Sequence, residues 1–419
     1  MSPGRLAIRG GRIVADEGER EADLIVEGER IDSIVDPGAG SADSEIDARG
    51  LVVFPGVVDA HVHFNEPGRE DWEGWAHGSR GAAAGGVTTV ADMPLNSTPP
   101  TSTHEAFEAK RAAAERSSLV DFALWGGLVP GADLIALREL GAVGLKAFLC
   151  DSGVPEFPPT TLGAIRDAGM LVAVHAEDPL YLRGHAETWA ASRPPEAEVG
   201  AVSALARLGV RVHVVHVSAA AALDVSGPRV TTETCPHYLW FTDDDVERDG
   251  ALLKCAPPIR GATNRDRLWD AVLGGRVALV ASDHSPCTAA MKQRDLWSAW
   301  GGIAGIQTML PALLTEGVHR RGLPLSRLAS LLAAAPARLL GLARKGRLAA
   351  GMDADVALLD LDREWKLDTS ALQTRSGQSG WVGQSFRGAV VRTIVRGRTI
   401  FEDGAFARPG QARLARRES

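Results

Sequence analysis

The sequence predicts an α/β chain, a (β/α)8 TIM barrel carrying a smaller β unit assembled from both chain ends. Eight apolar strand-like runs alternate with amphipathic or alanine-rich helical runs between about residues 51 and 350. Short period-two strands with glycine turns fill residues 1–50 and return over 351–419. No GxGxxG follows the first strand of the middle region, so an open dinucleotide-type sheet has no support. Repeated β-then-α units imply parallel pairing with right-handed crossovers, and eight of them over about 250 residues or more argue for a barrel.

At the amino end, RLAIRGGRIV and ADLIVEGERIDSIVD alternate apolar and polar residues, and DADVALLDLD and AVVRTIVRGRTIFEDG repeat that texture near the carboxyl end. Neither piece is long enough to bury a sheet alone, so the two ends are expected to pair, with the middle as an insertion. The middle strands read GVVDAHVHF, VTTVADMP, VDFALWGGLV, VGLKAFLC, LVAVHAED, RVHVVHVS, VTTETCPHYL and VALVASDHSP. Between them lie helical runs such as THEAFEAKRAAAERS, PTTLGAIRDAG, PEAEVGAVSALARLG and NRDRLWDAVLGG, with Asn264 read as the cap of the last. LASLLAAAPARLLGLA contains Pro336 and Arg338 and reads as a core helix rather than a membrane span. The Ser, Gly and Gln-containing stretch at 369–387 reads as a surface loop, and MKQRDLWSAWGGIAG as a mouth-closing loop, a barrel cover or an interface.

Composition narrows the function. The chain has 419 residues, 45% hydrophobic and 23% charged, with mean hydropathy −0.03, the profile of a globular protein. Its 45 Lys plus Arg against 53 Asp plus Glu give a net charge of −8, which offers no basic field to a phosphate backbone. Nucleic acid is therefore not an expected partner. The opening MSPGRLAIRGG lacks an apolar leader core and no run has the length of a membrane span, so a cytoplasmic location without membrane contact is expected. Cys150, Cys235, Cys255 and Cys287 occur singly, which suggests neither a disulfide framework nor a thiolate zinc site. Cys235 reads as a small buried hydrophobe.

Polar residues in the apolar strands fall at the carboxyl ends, where barrel enzymes assemble their sites. His61 and His63 on the first strand are two apart, so they share a face and can share a metal. Asp283 follows the apolar run VALVA, and burying it unpaired costs several kcal/mol, so a cation partner is expected, a turn or cap role being the alternative. His284 beside it is a supporting group or a loop residue. His175 and His216 occupy equivalent places on neighbouring strands, which favours ligation over two separate core histidines. His213 is three residues before His216 and reads as structural, and His237 has no matching role. Lys146, between Leu145 and Ala147, either snorkels to solvent or points into this mouth. An ammonium there would repel metals, and a carbamate formed with carbon dioxide would instead bridge them.

With these residues in place the chain resembles the amidohydrolase superfamily, in its cyclic amidase branch of dihydroorotases, hydantoinases and allantoinases. The segments DAHVHFNEPGREDWEG, TTVADMPLNSTPPT, GLKAFLCDSGVPEFP, TTETCPHYL, CAPPIR, SDHSPC and GGIAGIQTMLP are most similar to the allantoinase members. The resemblance implies a bent β sandwich built from residues 1–50 and 351–419 beside a barrel over 51–350. It also implies two divalent metal ions, usually zinc. His61, His63 and Asp283 would hold one and His175 and His216 the other, with Lys146 bridging as N6-carboxylysine. Two such ions about 3.5–4 Å apart supply hydroxide near neutral pH and polarise the attacked carbonyl. Asp283 would then be the catalytic residue, taking the proton and passing it to the departing amide nitrogen. The implied partner is a small cyclic amide, allantoin hydrolysed to allantoate, and the implied assembly a homodimer or homotetramer.

Departures from the branch pattern choose among its members. Dihydroorotases carry an arginine where this chain has Asn65 in HVHFNEPG, and the loss of a bidentate guanidinium disfavours a carboxylate substrate. Hydantoinases and dihydropyrimidinases carry a tyrosine soon after the bridging lysine. Here that segment is Cys150-Asp151-Ser152-Gly153, and the only tyrosines are Tyr181 and Tyr238. An uncharged ring with a ureido tail suits short polar groups, and Asn65, Asn96, Cys150, Ser152, Cys255 and Ser285 are the candidate substrate contacts, Asn96 being equally readable as a turn residue. A noncatalytic scaffold is the remaining alternative, and retention of all six candidate ligands argues against it.

Overall fold

The computed structural model describes residues 4–15 and 18–417, so Met1–Pro3 of the opening segment lie outside the described residues. Five strands come first: β1 (Arg5–Ala15), β2 (Gly18–Glu27), β3 (Arg30–Val35), β4 (Ser44–Asp47) and β5 (Val52–Pro55). Nine short parallel strands follow: β6 (Val57–Val62), β7 (Val87–Asp92), β8 (Asp121–Leu124), β9 (Gly126–Gly127), β10 (Leu145–Phe148), β11 (Val172–His175), β12 (Val212–Val214), β13 (Val230–Thr234) and β14 (Leu279–Val280). The chain ends with β15 (Val356–Lys366), β16 (Ser385–Val395), β17 (Arg398–Glu402) and β18 (Ala405–Phe406).

The two chain ends meet where β5 pairs antiparallel with β15, giving one nine-stranded sheet in the order β18-β17-β16-β15-β5-β1-β2-β3, with β4 on β1. Its alternating apolar face buries Ile8, Ile13, Leu24, Val26, Val356, Leu358 and Ile394 in one cluster. β1 carries a register shift between Ile8 and Gly11, and a Cβ at Gly11 would stand 2.5 Å from Val53 Cγ2, so only glycine lets the strands approach.

The parallel strands run in the orders β6-β7-β8 and β9-β10-β11-β12-β13-β14. β8 and β9 are separated only by Trp125, whose backbone N–H turns to the Asp92 carbonyl, while its indole donates to the Ala60 carbonyl at 3.0 Å. At the other flank Val62 and His284 form a parallel bridge. Helices cover the strands, and some begin where the sequence supplies a side-chain cap. Thr103 accepts from Ala106 N before helix His104–Ser117, and Thr161 from Ala164 N before helix Leu162–Asp167.

A buried charge cluster fixes the amino end of β8 to the carboxyl-terminal segment. Lys345 Nζ lies 2.7 Å from Asp121, 2.8 Å from Asp355 and 3.1 Å from Asp353, and Arg396 also pairs with Asp121. Three carboxylates around the ammonium hold the Lys345 pKa above its ordinary value despite burial.

Two local expectations fail. The 369–387 stretch is not a surface loop, because Thr374, Ser379 and Trp381 are buried in it. Trp381 packs edge-on against Trp240 and near Phe241, and Thr374 Oγ1 donates to Glu73 at 2.6 Å, so this strap is sealed against the parallel unit. Asn264 does not cap its own helix, Ala262–Leu273, whose cap is Gly261. Its side chain reaches across to accept from Ala220 N, the first residue of helix Ala220–Asp224. The LASLLAAAPARLLGLA run is helical and buries Leu328, Leu331, Leu332, Leu339 and Leu340. No helix among the described residues is long and apolar enough to cross a membrane.

Candidate active site

The carboxyl ends of β6, β10, β11, β12 and β14 converge on one buried polar centre. His61 and His63 leave β6, with ring centroids 5.3 Å apart. Asp283 comes from beyond β14, its Oδ1 3.4 Å from His61 Nε2 and 3.6 Å from His63 Nε2. The His216 ring stands 5.4 Å from that of His61 and 4.6 Å from that of His175. His216 and Asp283 both adopt φ 44°, a left-handed conformation that costs a non-glycine residue about 1–3 kcal/mol. The chain thus holds two strained residues where they turn toward the same point.

His61 Nε2 faces Asp283 at this point with no hydrogen-bond partner, and Lys146 Nζ is buried without one. Buried polar groups are nearly always satisfied, and two that are not, beside further imidazoles and a carboxylate, mark a candidate ligand site. The donor set fits divalent cations, because imidazoles and a carboxylate are the ligands zinc and its neighbours take. Burial, reinforced by the Lys146 charge, pushes His61 down to about 4, and burial likewise pushes His63 and His216 well below their ordinary value. The rings are neutral, the form that ligates. Burial pushes Asp283 up to about 8 against the pull of Lys146.

Lys146 sits mid-strand on β10, opposite Gly127 of β9 and Ala173 of β11. It does not snorkel, being 1% exposed with Nζ 4.9 Å over the Phe148 ring. Burial pushes it down to about 8, toward the free amine.

Carboxylates behind the histidines fix which nitrogen each presents. Glu233 on β13 accepts from His61 Nδ1 at 2.7 Å and His213 Nε2 at 2.9 Å, leaving His61 Nε2 toward the centre. Glu177 takes His175 Nε2 at 2.6 Å and is itself paired with Arg193. Glu73 lies 3.2 Å from His284 Nε2. None of these three was singled out by sequence reasoning, and His213 joins the Glu233 network rather than standing apart. The available signal was an acidic residue inside an apolar strand, as in VTTETC, or two residues after a candidate ligand, as in HAED. Glu233→Gln should weaken metal affinity about 10–100-fold while leaving the fold intact, read by competition with a chelating indicator. Unchanged affinity would remove Glu233 from that role.

A cavity of about 490 Å³ opens over the centre. Asn96, Ser152, Cys255 and Ser285 line it, whereas Asn65 and Cys150 do not. Asn65 is fully buried at φ 64°, which turns its amide away to donate to the Pro286 carbonyl at 3.2 Å. Cys150 is packed at 3.7 Å from the Arg193 guanidinium, and burial pushes its thiol up to about 12. The Ser152 hydroxyl is engaged by Val154 and Phe157 of its own loop, while Asn96 Oδ1 is unpartnered. Trp300 of the MKQRDLWSAWGGIAG segment lines the space, as do Trp189, Arg193 and Lys254, which the sequence did not suggest. Lys254 Nζ donates to the Trp297 and Ala299 carbonyls, both at 2.8 Å, and ties the 291–302 loop across the opening.

Residues 52–400 match the amidohydrolase family. Allantoinases of Solibacter usitatus and Rubrobacter xylanophilus are each 48% identical, over 94% and 96% of this chain and 93% and 96% of theirs. The allantoinase of Deinococcus radiodurans is 45% identical over 99% of both chains. Among solved structures, the L-hydantoinase (dihydropyrimidinase) of Arthrobacter aurescens is similar over the whole of both chains, with a TM-score of 0.93 and 33% identity.

Proposed function

The chain belongs to the amidohydrolase family, and from that premise we propose that it is an allantoinase, a hydrolase that opens the cyclic amide of allantoin to allantoate. The observation that carries the substrate is the 45–48% identity to allantoinases over nearly the full length of both partners. The site agrees with it. No arginine stands at position 65 to grip a carboxylate. Tyr238 is buried with its hydroxyl on the Pro257 carbonyl, and Tyr181 is absent from the cavity wall, so the phenol typical of hydantoinases has no counterpart among the described residues.

Two divalent ions, zinc in this reading, supply hydroxide near neutral pH and polarise the attacked carbonyl when bound. His61, His63 and Asp283 would hold one, and His175 and His216 the other. The free amine of Lys146 would add to carbon dioxide, an N–C bond forming as one proton leaves to solvent, and the resulting carbamate would be the anionic ligand it offers to the ions. Asp283 takes the proton released by the nucleophile at its carboxylate and gives it to the ring nitrogen as the amide C–N bond breaks. Without that proton the nitrogen is a poor leaving group. Asn96, Cys255 and Ser285 face the ring and its ureido tail, and the 291–302 loop excludes water.

The parallel strands form a (β/α)8 barrel over 51–350, beside a β sandwich built from 1–50 and 351–419. The Val62–His284 bridge and the likeness to the hydantoinase structure support this. The protein works in the cytoplasm as a homodimer or homotetramer, and its four unpaired, buried cysteines suit a reducing compartment. The test is parallel hydrolysis of allantoin, dihydroorotate, hydantoin and dihydrouracil by the zinc-loaded protein, with allantoin expected to be preferred. A preference for hydantoin or dihydrouracil would overturn the substrate but not the centre, and inertness toward every ring would favour a scaffold.

A further inference from the structure

We propose that Cys235, His237 and Asp283 form a third, inhibitory site for a soft divalent cation such as cadmium or excess zinc. One donor atom from each lies within 4.8 Å of the others, and none of the first two belongs to the ligand sets above. Cys235 follows the last residue of β13 and His237 lies in the next turn, so both come from one short segment aimed at the loop after β14. Cys235 is 0% and His237 1% exposed, and His237 Nε2 has no hydrogen-bond partner. An imidazole nitrogen buried without a partner beside a thiol and a carboxylate is a place where a cation satisfies a real deficit.

The donor chemistry sets the class of ion. Sulfur, imidazole nitrogen and one carboxylate oxygen suit zinc and cadmium, whereas magnesium, calcium and manganese favour all-oxygen shells. As the S–metal bond forms, the Cys235 thiol releases its proton to the buffer. Asp283 lines the cavity and gives the ion its approach from solvent. Its Oδ1 faces His61 and His63, so its other oxygen is the one left for this site. A carboxylate ligated on both oxygens has none left to carry a proton, and turnover stops. That inhibitory consequence rests on the proton role proposed for Asp283, but the ligation itself does not.

The experiment titrates the zinc-loaded protein with cadmium. It follows the ultraviolet charge-transfer band of a cadmium thiolate, the zinc retained, and allantoin turnover. Expected is about one added equivalent of cadmium with both zinc ions kept, the band growing as turnover falls. In Cys235→Ala the band should vanish and half-inhibition should move to about tenfold higher cadmium or more, with His237→Gln shifting it in the same direction. The idea fails if Cys235→Ala keeps the band and the inhibition, if only Cys255→Ser removes them, or if cadmium merely displaces zinc. A band that forms while turnover is unaffected overturns the inhibitory role. A band in a protein inert toward allantoin leaves the site standing and removes the allantoinase reading instead. Should Cys235→Ala not fold, the His237→Gln shift decides.

Discussion

Replacing Lys146 with alanine should lower turnover by about 10³-fold or more and reduce the bound metal from two ions toward one or none, and acetate or propionate should restore part of both. Metal activation of the nucleophile and carbonyl contributes several kcal/mol, and each 1.36 kcal/mol is about tenfold in rate. Lys146 is the residue through which both ions are proposed to be joined, so its loss removes more than one ligand. The lysine makes no hydrogen bond or ion pair, and its Nζ is buried over Phe148. Its removal therefore breaks no hydrogen bond, and thermal unfolding should report a folded protein. The vacated space between Gly127 and Ala173, its neighbours across β9 and β11, admits a short carboxylic acid. Lys146→Met fills that space with an apolar chain and should lose activity without rescue. Full activity in the alanine variant, or equal rescue of both variants, would dismiss the carbamate.

How much of this was legible before any coordinates depends on what kind of pattern carried it. Apolar runs ending in histidine, lysine or aspartate located the parallel strands, because burial against helices on one side and the interior on the other demands continuous hydrophobicity. The chain-end strands were legible from their period-two alternation. Alternation failed where the strands stop. β6 ends at Val62, and φ 64° at Asn65 turns that side chain, a candidate from its place in the HVHFNEPG motif, out of the series begun by His61 and His63. β12 covers only Val212–Val214, and His216 at φ 44° is no longer related to His213 by strand geometry. The pairing of Glu233 was illegible for another reason. Glu233 meets His61 across 172 residues of chain, and no local spacing encodes such a pairing. The 369–387 strap looked polar enough for a surface loop, but Trp381 and two buried hydroxyls bind it to the rest of the protein.

Asp283→Asn should separate metal binding from proton transfer. The amide oxygen remains available to the cation beside His61 and His63, so metal content should stay near that of the parent protein. What the amide cannot do is accept a proton and return it to the leaving nitrogen. General acid–base participation contributes about 10²–10⁴-fold, and kcat should fall by that factor while KM moves little, because the lost interaction belongs to the transition state. Glu233→Gln is the opposite case, expected to act through metal affinity and to be repaired by excess zinc, which does nothing for Asp283→Asn. A substrate whose departing nitrogen is more acidic needs less help from a proton, so the penalty should shrink as the leaving group improves. If the asparagine variant kept kcat within about tenfold for every ring, the proton would have to travel by another group, and Asp283 would be a ligand only.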